Sequence, residues 1–178
     1  MEEHYTMFWG HRRDDIGMEN YPIEQVSPGF RILVFARGEG QFAYCTEGMS
    51  RNGDRERVEI FLLSRECVLG ETLLEVIEVL GSIAHYHRTG PGLSMGHTVN
   101  FGQPIVAGAS CDYGLLSLPY LDGPGMEYSR TGIRCLWLIP ITKEEREFKA
   151  RSGLFEFEEA LQRANFDYLD WWRDSVVV

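Results

Sequence analysis

The sequence predicts a domain in which helices pack on a β-sheet that begins antiparallel. Three observations lead to this prediction. Three strand-like segments follow one another between short turns in residues 30–63. A long amphipathic helix is predicted over residues 71–88, with an apolar side broad enough to cover a sheet. An apolar strand over residues 133–139 then leads directly into a further helix.

The N-terminal segment has the weakest pattern in the chain. Aromatic and charged residues mix without period in residues 1–28, and Pro22 and Pro28 interrupt them. We interpret residues 1–28 as an N-terminal arm, with room for one short helix, that lies along the main body of residues 29–178.

The next three segments are predicted to form a meander. Residues 30–36 (FRILVFA) and 41–47 (QFAYCTE) flank a glycine-containing turn, and residues 56–63 follow a second turn at Gly53-Asp54. In the third segment Val58, Ile60 and Leu62 alternate with Glu59 and Phe61, which places the two sets on opposite faces. Consecutive strands of this kind pair antiparallel.

The helix over residues 71–88 has one polar stripe with steps of three and four residues. Its members are Glu71, Glu75, Glu78, Ser82 and His85. Gly81 costs this helix about 1 kcal/mol relative to alanine, which predicts the close approach of a neighbour. The helix is expected to end before Gly90-Pro91-Gly92.

The second half of the chain alternates strands and helices. Short strands are predicted at residues 97–101 and 113–120, a loop at 121–132, and a buried strand at 133–139 that Pro140 ends. Thr142 and Glu145 have the spacing of a capping box for the next helix. A last helix at residues 154–164 directs Phe157, Leu161 and Ala164 inward. The tail after it is aromatic and acidic and is not assigned.

Composition excludes several classes of function. Hydrophobic residues make up 44% and charged residues 25%, as in ordinary globular domains. The net charge of −10 disfavours nucleic acid as a partner. No apolar run is long enough for a membrane helix, and no signal peptide is visible, so a cytoplasmic location is expected. The acidic balance fits either simple solubility or an anionic face that meets a basic partner.

Motifs for catalysis and metal binding are weak. The four cysteines are scattered without a C-x-x-C pair, and Cys45 and Cys135 are predicted to be small buried hydrophobes. Ser50 lacks the surrounding glycines of a nucleophile elbow. No phosphate-binding loop or H-E-x-x-H motif occurs. A metal-dependent hydrolase that uses His85, His87 and His97 remains an alternative, although the two histidines of H-x-H are two residues apart and do not share a helix face.

The aromatic tail allows two interpretations. Trp171 and Trp172 are accompanied by Phe166 and Tyr168, and by the acids Asp167, Asp170 and Asp174. The tail can pack on the sheet, or it can form a partly exposed aromatic patch with an acidic rim that binds a protein. A homo-oligomeric structural module, such as a homodimer that buries the tail, is a further alternative.

Three separated motifs resemble those of the suppressor of fused-like domain family. Residues 46–50 (TEGMS) are similar to its T-x-G-M/L-S signature, and the acidic strand that follows is matched by residues 59–63 (EIFLL). Residues 96–99 (GHTV) resemble its G-H element after the long helix. Residues 138–149 (LIPITKEEREFK) are similar to its I-P-x-t-x-E-E-x-x-F-K element. The resemblance covers about residues 30–165 and does not include the arm or the tail.

The resemblance implies an α+β fold, with a mixed, largely antiparallel sheet flanked by helices, and no catalytic centre or cofactor. The matched residues are expected to be structural, with His97 satisfying a buried hydrogen bond. They are Gly48, Met49, Ser50, Gly96, His97, Pro140, Thr142 and Glu145.

The chain is similar to the compact bacterial single-domain type of the family. Animal members bind and restrain a transcription factor of the Hedgehog pathway, and bacterial members are thought to act as immunity proteins that bind and neutralise toxins. The resemblance therefore implies a protein partner, such as a basic toxin domain. Candidate contact residues lie on the acidic helix stripe and in the tail: Glu71, Glu75, Glu78, Asp167, Asp170, Trp171, Trp172 and Asp174.

Overall fold

The computed structural model describes residues 1–177, which form a seven-stranded sheet with helices on both faces. The strands are β1 (Arg12–Gly17), β2 (Arg31–Ala36), β3 (Phe42–Glu47), β4 (Val58–Ser64), β5 (Thr98–Asn100), β6 (Tyr113–Ser117) and β7 (Arg134–Ile141). The helices are α1 (Glu2–Trp9), α2 (Pro22–Val26), α3 (Gly70–Thr89), α4 (Lys143–Ser152) and α5 (Leu154–Ala164), with a 3₁₀ turn at Pro124–Met126.

The sheet is mixed and largely antiparallel, which confirms the predicted fold class. Its strand order is β1-β2-β3-β4-β7-β6-β5. The meander β2-β3-β4 is antiparallel as predicted, and so is the pairing of β7 with β6 and of β6 with β5. The one parallel pairing in residues 1–177 joins β4 to β7 at the centre, where Phe61 lies opposite Trp137.

Both faces of the sheet are buried under helices. Val58, Ile60 and Leu62 of β4 join one core with α2 and α3. Phe61 and Leu63 point the other way, into a second core with residues of α1 and α5. Every residue of β4 is buried, because this strand is central in the sheet and covered on both sides. The two cores fix the strand register, since a slip of one residue would exchange the faces.

The long helix α3 matches its prediction closely, and its glycine has the expected close neighbour. A Cβ added at Gly81 would lie 2.7 Å from the terminal methyl of Met18. Met18 is fully buried and belongs to the segment that connects β1 to α2. The glycine therefore lets the N-terminal part of the chain pack directly against α3.

Residues 1–28 contain more regular structure than the one short helix that we expected. Helix α1 packs Tyr5 and Trp9 onto the sheet, and Trp9 contacts Phe61 edge to face with the ring centroids 5.3 Å apart. β1 is an edge strand paired with β2, and α2 packs on α3. β1 reads RRDDIG and has no apolar alternation, so its pairing could not be read from the pattern.

Two local predictions were wrong. Pro140 does not end the sheet ladder, because β7 continues to Ile141 and pairs with β6 through Pro140 and Gly114. The Pro140 carbonyl accepts a hydrogen bond from Arg173 Nη2 (3.2 Å), so this residue turns its polar backbone away from β6 and needs no N–H there. Ala164, predicted to point inward, is exposed at the last turn of α5.

Other local predictions are confirmed. Thr142 and Glu145 form the capping box of α4. Cys45 and Cys135 are buried and free, and burial raises the pKa of the Cys135 thiol to about 12. No helix within residues 1–177 is long and apolar enough to cross a membrane.

Candidate protein-binding surface

A buried glutamate holds the segment Thr46–Ser50 in place. The Glu59 side chain is almost completely buried and accepts hydrogen bonds from five donors. Thr46 Oγ1 donates at 2.6 Å, and the Met49 backbone N–H at 3.2 Å. The Gly48 N–H donates at 3.1 Å, and Ser50 donates through both its N–H (3.0 Å) and its hydroxyl (3.1 Å). The C-terminal end of β3 and the turn after it are thus held by a carboxylate from the neighbouring strand β4.

Burial explains the shifted pKa of Glu59, and the backbone of the turn explains why position 48 is a glycine. Burial raises the pKa of Glu59, and the hydrogen bonds from Thr46, Ser50 and Met49 oppose that shift. Gly48 has φ of +98°, and a Cβ there would lie 3.3 Å from the Cα of Phe30. Glycine is needed because any other residue would have a strained backbone here, and its Cβ would crowd the backbone just before β2.

A second buried carboxylate anchors the C-terminal tail. Glu145 is fully buried, and its two oxygens accept from Arg173 at 2.5 and 2.8 Å. The same carboxylate accepts from the backbone N–H of Thr142 (3.0 Å) and of Val176 (3.0 Å). Burial works against the charge of Arg173, but Glu145 outweighs it and raises the pKa of Arg173. Glu145 therefore caps α4 and fixes the tail at the same time.

The Gly96-His97 motif joins α4 through its backbone rather than through the imidazole. Lys149 Nζ donates a hydrogen bond to the Gly96 carbonyl. His97 is exposed, and its Nδ1 accepts from the Ser94 backbone N–H at 3.3 Å. The expectation that His97 satisfies a buried hydrogen bond was therefore wrong.

The tail crosses the end of the sheet at which β4 and β7 finish. Asp167 forms an ion pair with Arg65, which follows β4 directly. Trp171 is only 2% exposed and lies in the core beside α3, so it is not available as a contact residue. Its carbonyl accepts hydrogen bonds from the backbone N–H of Ser110 (3.0 Å) and Cys111 (3.2 Å).

The two groups of candidate residues meet on one surface. Glu75 of α3 accepts hydrogen bonds from the Ala107 backbone N–H at 3.1 and 3.2 Å. Ser110, three residues further on, donates its hydroxyl to the Trp172 carbonyl at 3.1 Å. The loop at residues 107–110 therefore connects α3 to the tail. A cleft of about 480 Å³ separates residues 64–69 and Thr72 from residues 169–172.

We call this region the tail–α3 surface. It carries two exposed apolar side chains, Leu69 (68% exposed) and Trp172 (53% exposed), among carboxylates. Its members are Leu69, Glu71, Glu75, Asp167, Asp170 and Trp172. Glu78 is exposed further along α3, and Asp174 is exposed beyond Arg173. Leu69 was missed because a leucine next to a helix start gives no sequence signal for exposure.

The three histidines of the hydrolase alternative do not form a metal site. His87 and His97 line one polar cleft with Asp54 and Glu56, whereas His85 does not reach it. His87 is buried, and its Nδ1 accepts from the Leu93 backbone N–H at 2.9 Å. Within residues 1–177, no group of three or more His, Cys, Asp or Glu side chains is placed to hold a metal ion.

The mixed sheet with helices on both faces, and the turn held by a buried glutamate, define an α+β domain of suppressor-of-fused type. The family model described as Suppressor of fused protein (SUFU) matches residues 27–174. The chain belongs to this family.

Solved structures agree with this assignment. A crystal structure described as a SUFU homolog from Neisseria gonorrhoeae is 30% identical, with a TM-score of 0.86 over 99% of this chain and 94% of that one. A structure of the Sufu–Fu complex has 12% identity and a TM-score of 0.68, covering 98% of this chain and 90% of that one. Drosophila Suppressor of Fused has 13% identity and a TM-score of 0.68, and this chain spans half of its length. No curated protein matches the chain.

Proposed function

We propose that this chain is a non-catalytic protein-binding domain that acts in the cytoplasm as an immunity protein, binding and neutralising a basic toxin. The observation that carries the proposal is the meeting of the acidic stripe of α3 and the aromatic tail on one surface. One related structure is that of a Sufu–Fu complex, which supports protein binding as the activity of this fold.

The chemistry of the tail–α3 surface supports a basic protein partner. An exposed tryptophan next to a cleft is a usual anchor of an interface, and the exposed leucine adds apolar contact area beside it. The surrounding carboxylates and the net charge of −10 attract a cationic protein and speed its encounter. The tail backbone is held by Arg173 and by the loop at residues 107–110, so Trp172 is presented from an ordered segment and loses little entropy on binding.

The experiment searches the DNA beside the gene for a large toxin-like open reading frame, co-expresses its product with this chain, and measures growth rescue and complex formation. The absence of any such reading frame would count against the immunity role. Wild-type protein is expected to restore growth and to bind the toxin domain. Trp172→Asp is expected to weaken binding by about tenfold or more, because an exposed aromatic anchor is lost. Glu71→Lys is expected to slow association, with an effect that shrinks as salt is added.

Tyr128→Asp is the matched control. Tyr128 is also 53% exposed but lies beside Arg134 at the beginning of β7, the opposite end from the tail. Equal binding by wild type, Trp172→Asp and Tyr128→Asp would exclude the tail–α3 surface. Absence of both rescue and binding for the wild-type chain would contradict the immunity role.

A further inference from the structure

A second concave surface lies on the sheet face opposite α3. A groove of about 520 Å³ runs between α5 and the strands β6 and β7, and we call it the α5 groove. Trp137 and Tyr168 contact each other edge to face at its base, with the ring centroids 5.1 Å apart. Phe155 (68% exposed) and Tyr120 (60% exposed) stand at its rim. Exposed aromatic side chains around an apolar concave floor are typical of a binding site for a bulky apolar group.

The floor of the α5 groove contains an unsatisfied hydrogen-bond donor. Trp137 is buried, and its Nε1 has no hydrogen-bond partner among residues 1–177. A buried N–H without an acceptor costs free energy, and native proteins rarely leave one in this state. The ring of Trp137 lines the groove, whereas its Nε1 is closed to solvent, so a carbonyl on an occupant reaches this donor only if the ring shifts.

The polar groups of the α5 groove are acidic. Glu158 accepts hydrogen bonds from the hydroxyls of Ser117 (3.3 Å) and Tyr120 (3.4 Å), and Glu159 is exposed beside it. The residues of 1–177 that line the groove include no lysine, arginine or histidine. A basic residue on the occupant would therefore be attracted to the rim.

The same charges argue against a second copy of the chain as the occupant. A two-fold symmetric contact would place the groove of one copy against the groove of the other. The Glu158 and Glu159 carboxylates of both copies would then approach one another in a protein with a net charge of −10. Like charges brought together in this way disfavour the contact.

We propose that the α5 groove binds a segment of another protein that inserts an aromatic or leucine side chain and carries a lysine or arginine next to it. This inference goes beyond the proposed function, because no member of the tail–α3 surface lines the α5 groove and that surface can act without it. The apolar side chain packs between Phe155 and Tyr168, and the basic residue pairs with Glu158 or Glu159.

The test pans a random peptide library displayed on phage against the wild-type protein and measures the affinity of the enriched peptides. Enriched sequences are expected to combine an aromatic or leucine residue with a neighbouring lysine or arginine. Their affinity is expected to fall by about tenfold in Phe155→Asp, since an anchor contact is lost. Glu159→Lys is also expected to lower the affinity of the peptides, and this effect should be smaller at high salt.

Trp172→Asp is the control, because it changes the tail–α3 surface and leaves the α5 groove intact. Unchanged peptide affinity in this variant supports the proposal even if toxin neutralisation fails. A shift of the Trp137 indole N–H resonance on peptide addition is also expected, and Trp137→Phe identifies that signal. Both Phe155 and Glu159 are exposed, so their variants are expected to fold.

Three results would overturn the inference. One is a library that yields no enriched sequence, or sequences without a basic residue. Another is equal binding to wild type and Phe155→Asp. The third is a concentration-dependent dimer in sedimentation that Phe155→Asp converts to monomer, which would assign the α5 groove to a second copy of the chain.

Discussion

Replacing Arg173 by methionine tests the attachment of the tail most directly. The Arg173 side chain is 8% exposed and Glu145 is 0% exposed, so the pair has little access to water. Methionine keeps the apolar length of the side chain but leaves the Glu145 carboxylate buried with only the Thr142 and Val176 N–H groups. Removing one partner of a buried ion pair costs about 3–5 kcal/mol, and we expect a loss of this size.

The free energy of unfolding is measured by urea denaturation, followed by tryptophan fluorescence because Trp171 and Trp172 precede Arg173. A loss of about 3–5 kcal/mol corresponds to a decrease in Tm of about 6–20 °C for a domain of this size. The matched control is Arg151→Met, an arginine at an exposed position of α4. This control is expected to change stability by less than about 0.5 kcal/mol.

The double variant Glu145→Gln with Arg173→Met separates the lost contact from the buried charge. Glutamine removes the unpaired charge while its carbonyl oxygen can still accept from a backbone N–H. We therefore expect the double variant to be more stable than Arg173→Met alone. If Arg173→Met lowers the free energy of unfolding no more than Arg151→Met does, the Arg173–Glu145 pair does not hold the tail. The tail–α3 surface would then lack the anchor that orders it.

Three further predictions concern the turn and the buried histidine. Glu59→Gln is expected to lower the free energy of unfolding by about 2–3 kcal/mol, because its amide NH₂ would face N–H donors; equal stability in urea would contradict this. Since the pKa of Glu59 is raised by burial, wild type should lose stability relative to this variant as pH rises above about 4.3. Gly48 and Gly53 both have φ near +98°, but only Gly48 lies close to other backbone, at Phe30. In thermal denaturation Gly48→Ala should therefore lose more stability than Gly53→Ala, about 1–3 kcal/mol. Burial lowers the pKa of His87, so the unfolded chain takes up a proton at this residue at a higher pH than the folded chain does. The free energy of unfolding should therefore fall as pH drops below about 6.5. In urea denaturation at several pH values, His87→Asn should lack this part of the pH dependence.

The sequence was informative where one local pattern decides the structure. The capping box at Thr142, the helix α3 and the alternation in β4 follow from spacing alone, and the structure has all three. Long-range contacts decided the rest. β1 is polar and becomes a strand only because β2 offers an open edge. β7 continues through Pro140 to Ile141, and Arg173 from the tail donates a hydrogen bond to the outward-facing carbonyl of Pro140.

The tail–α3 surface could be predicted only in part, because the burial of its residues also depends on long-range contacts. Acidic and aromatic residues could be located in the sequence, but their burial could not. Trp171 and Trp172 are identical residues next to each other in the sequence, yet Trp171 is in the core and Trp172 is exposed. The role of Glu59 was missed because five donors from residues 46–50, which are nine to thirteen residues away, converge on it only in the folded chain.

The parallel pairing of β4 with β7 has a consequence for how the domain folds. It brings Phe61 beside Trp137, so the centre of the sheet closes only across a long stretch of intervening chain. Such non-local closure carries an entropy cost and slows folding relative to domains with local contacts. We expect the meander β2-β3-β4 and the β6–β7 pair to collapse as separate halves, and their docking to set the folding rate.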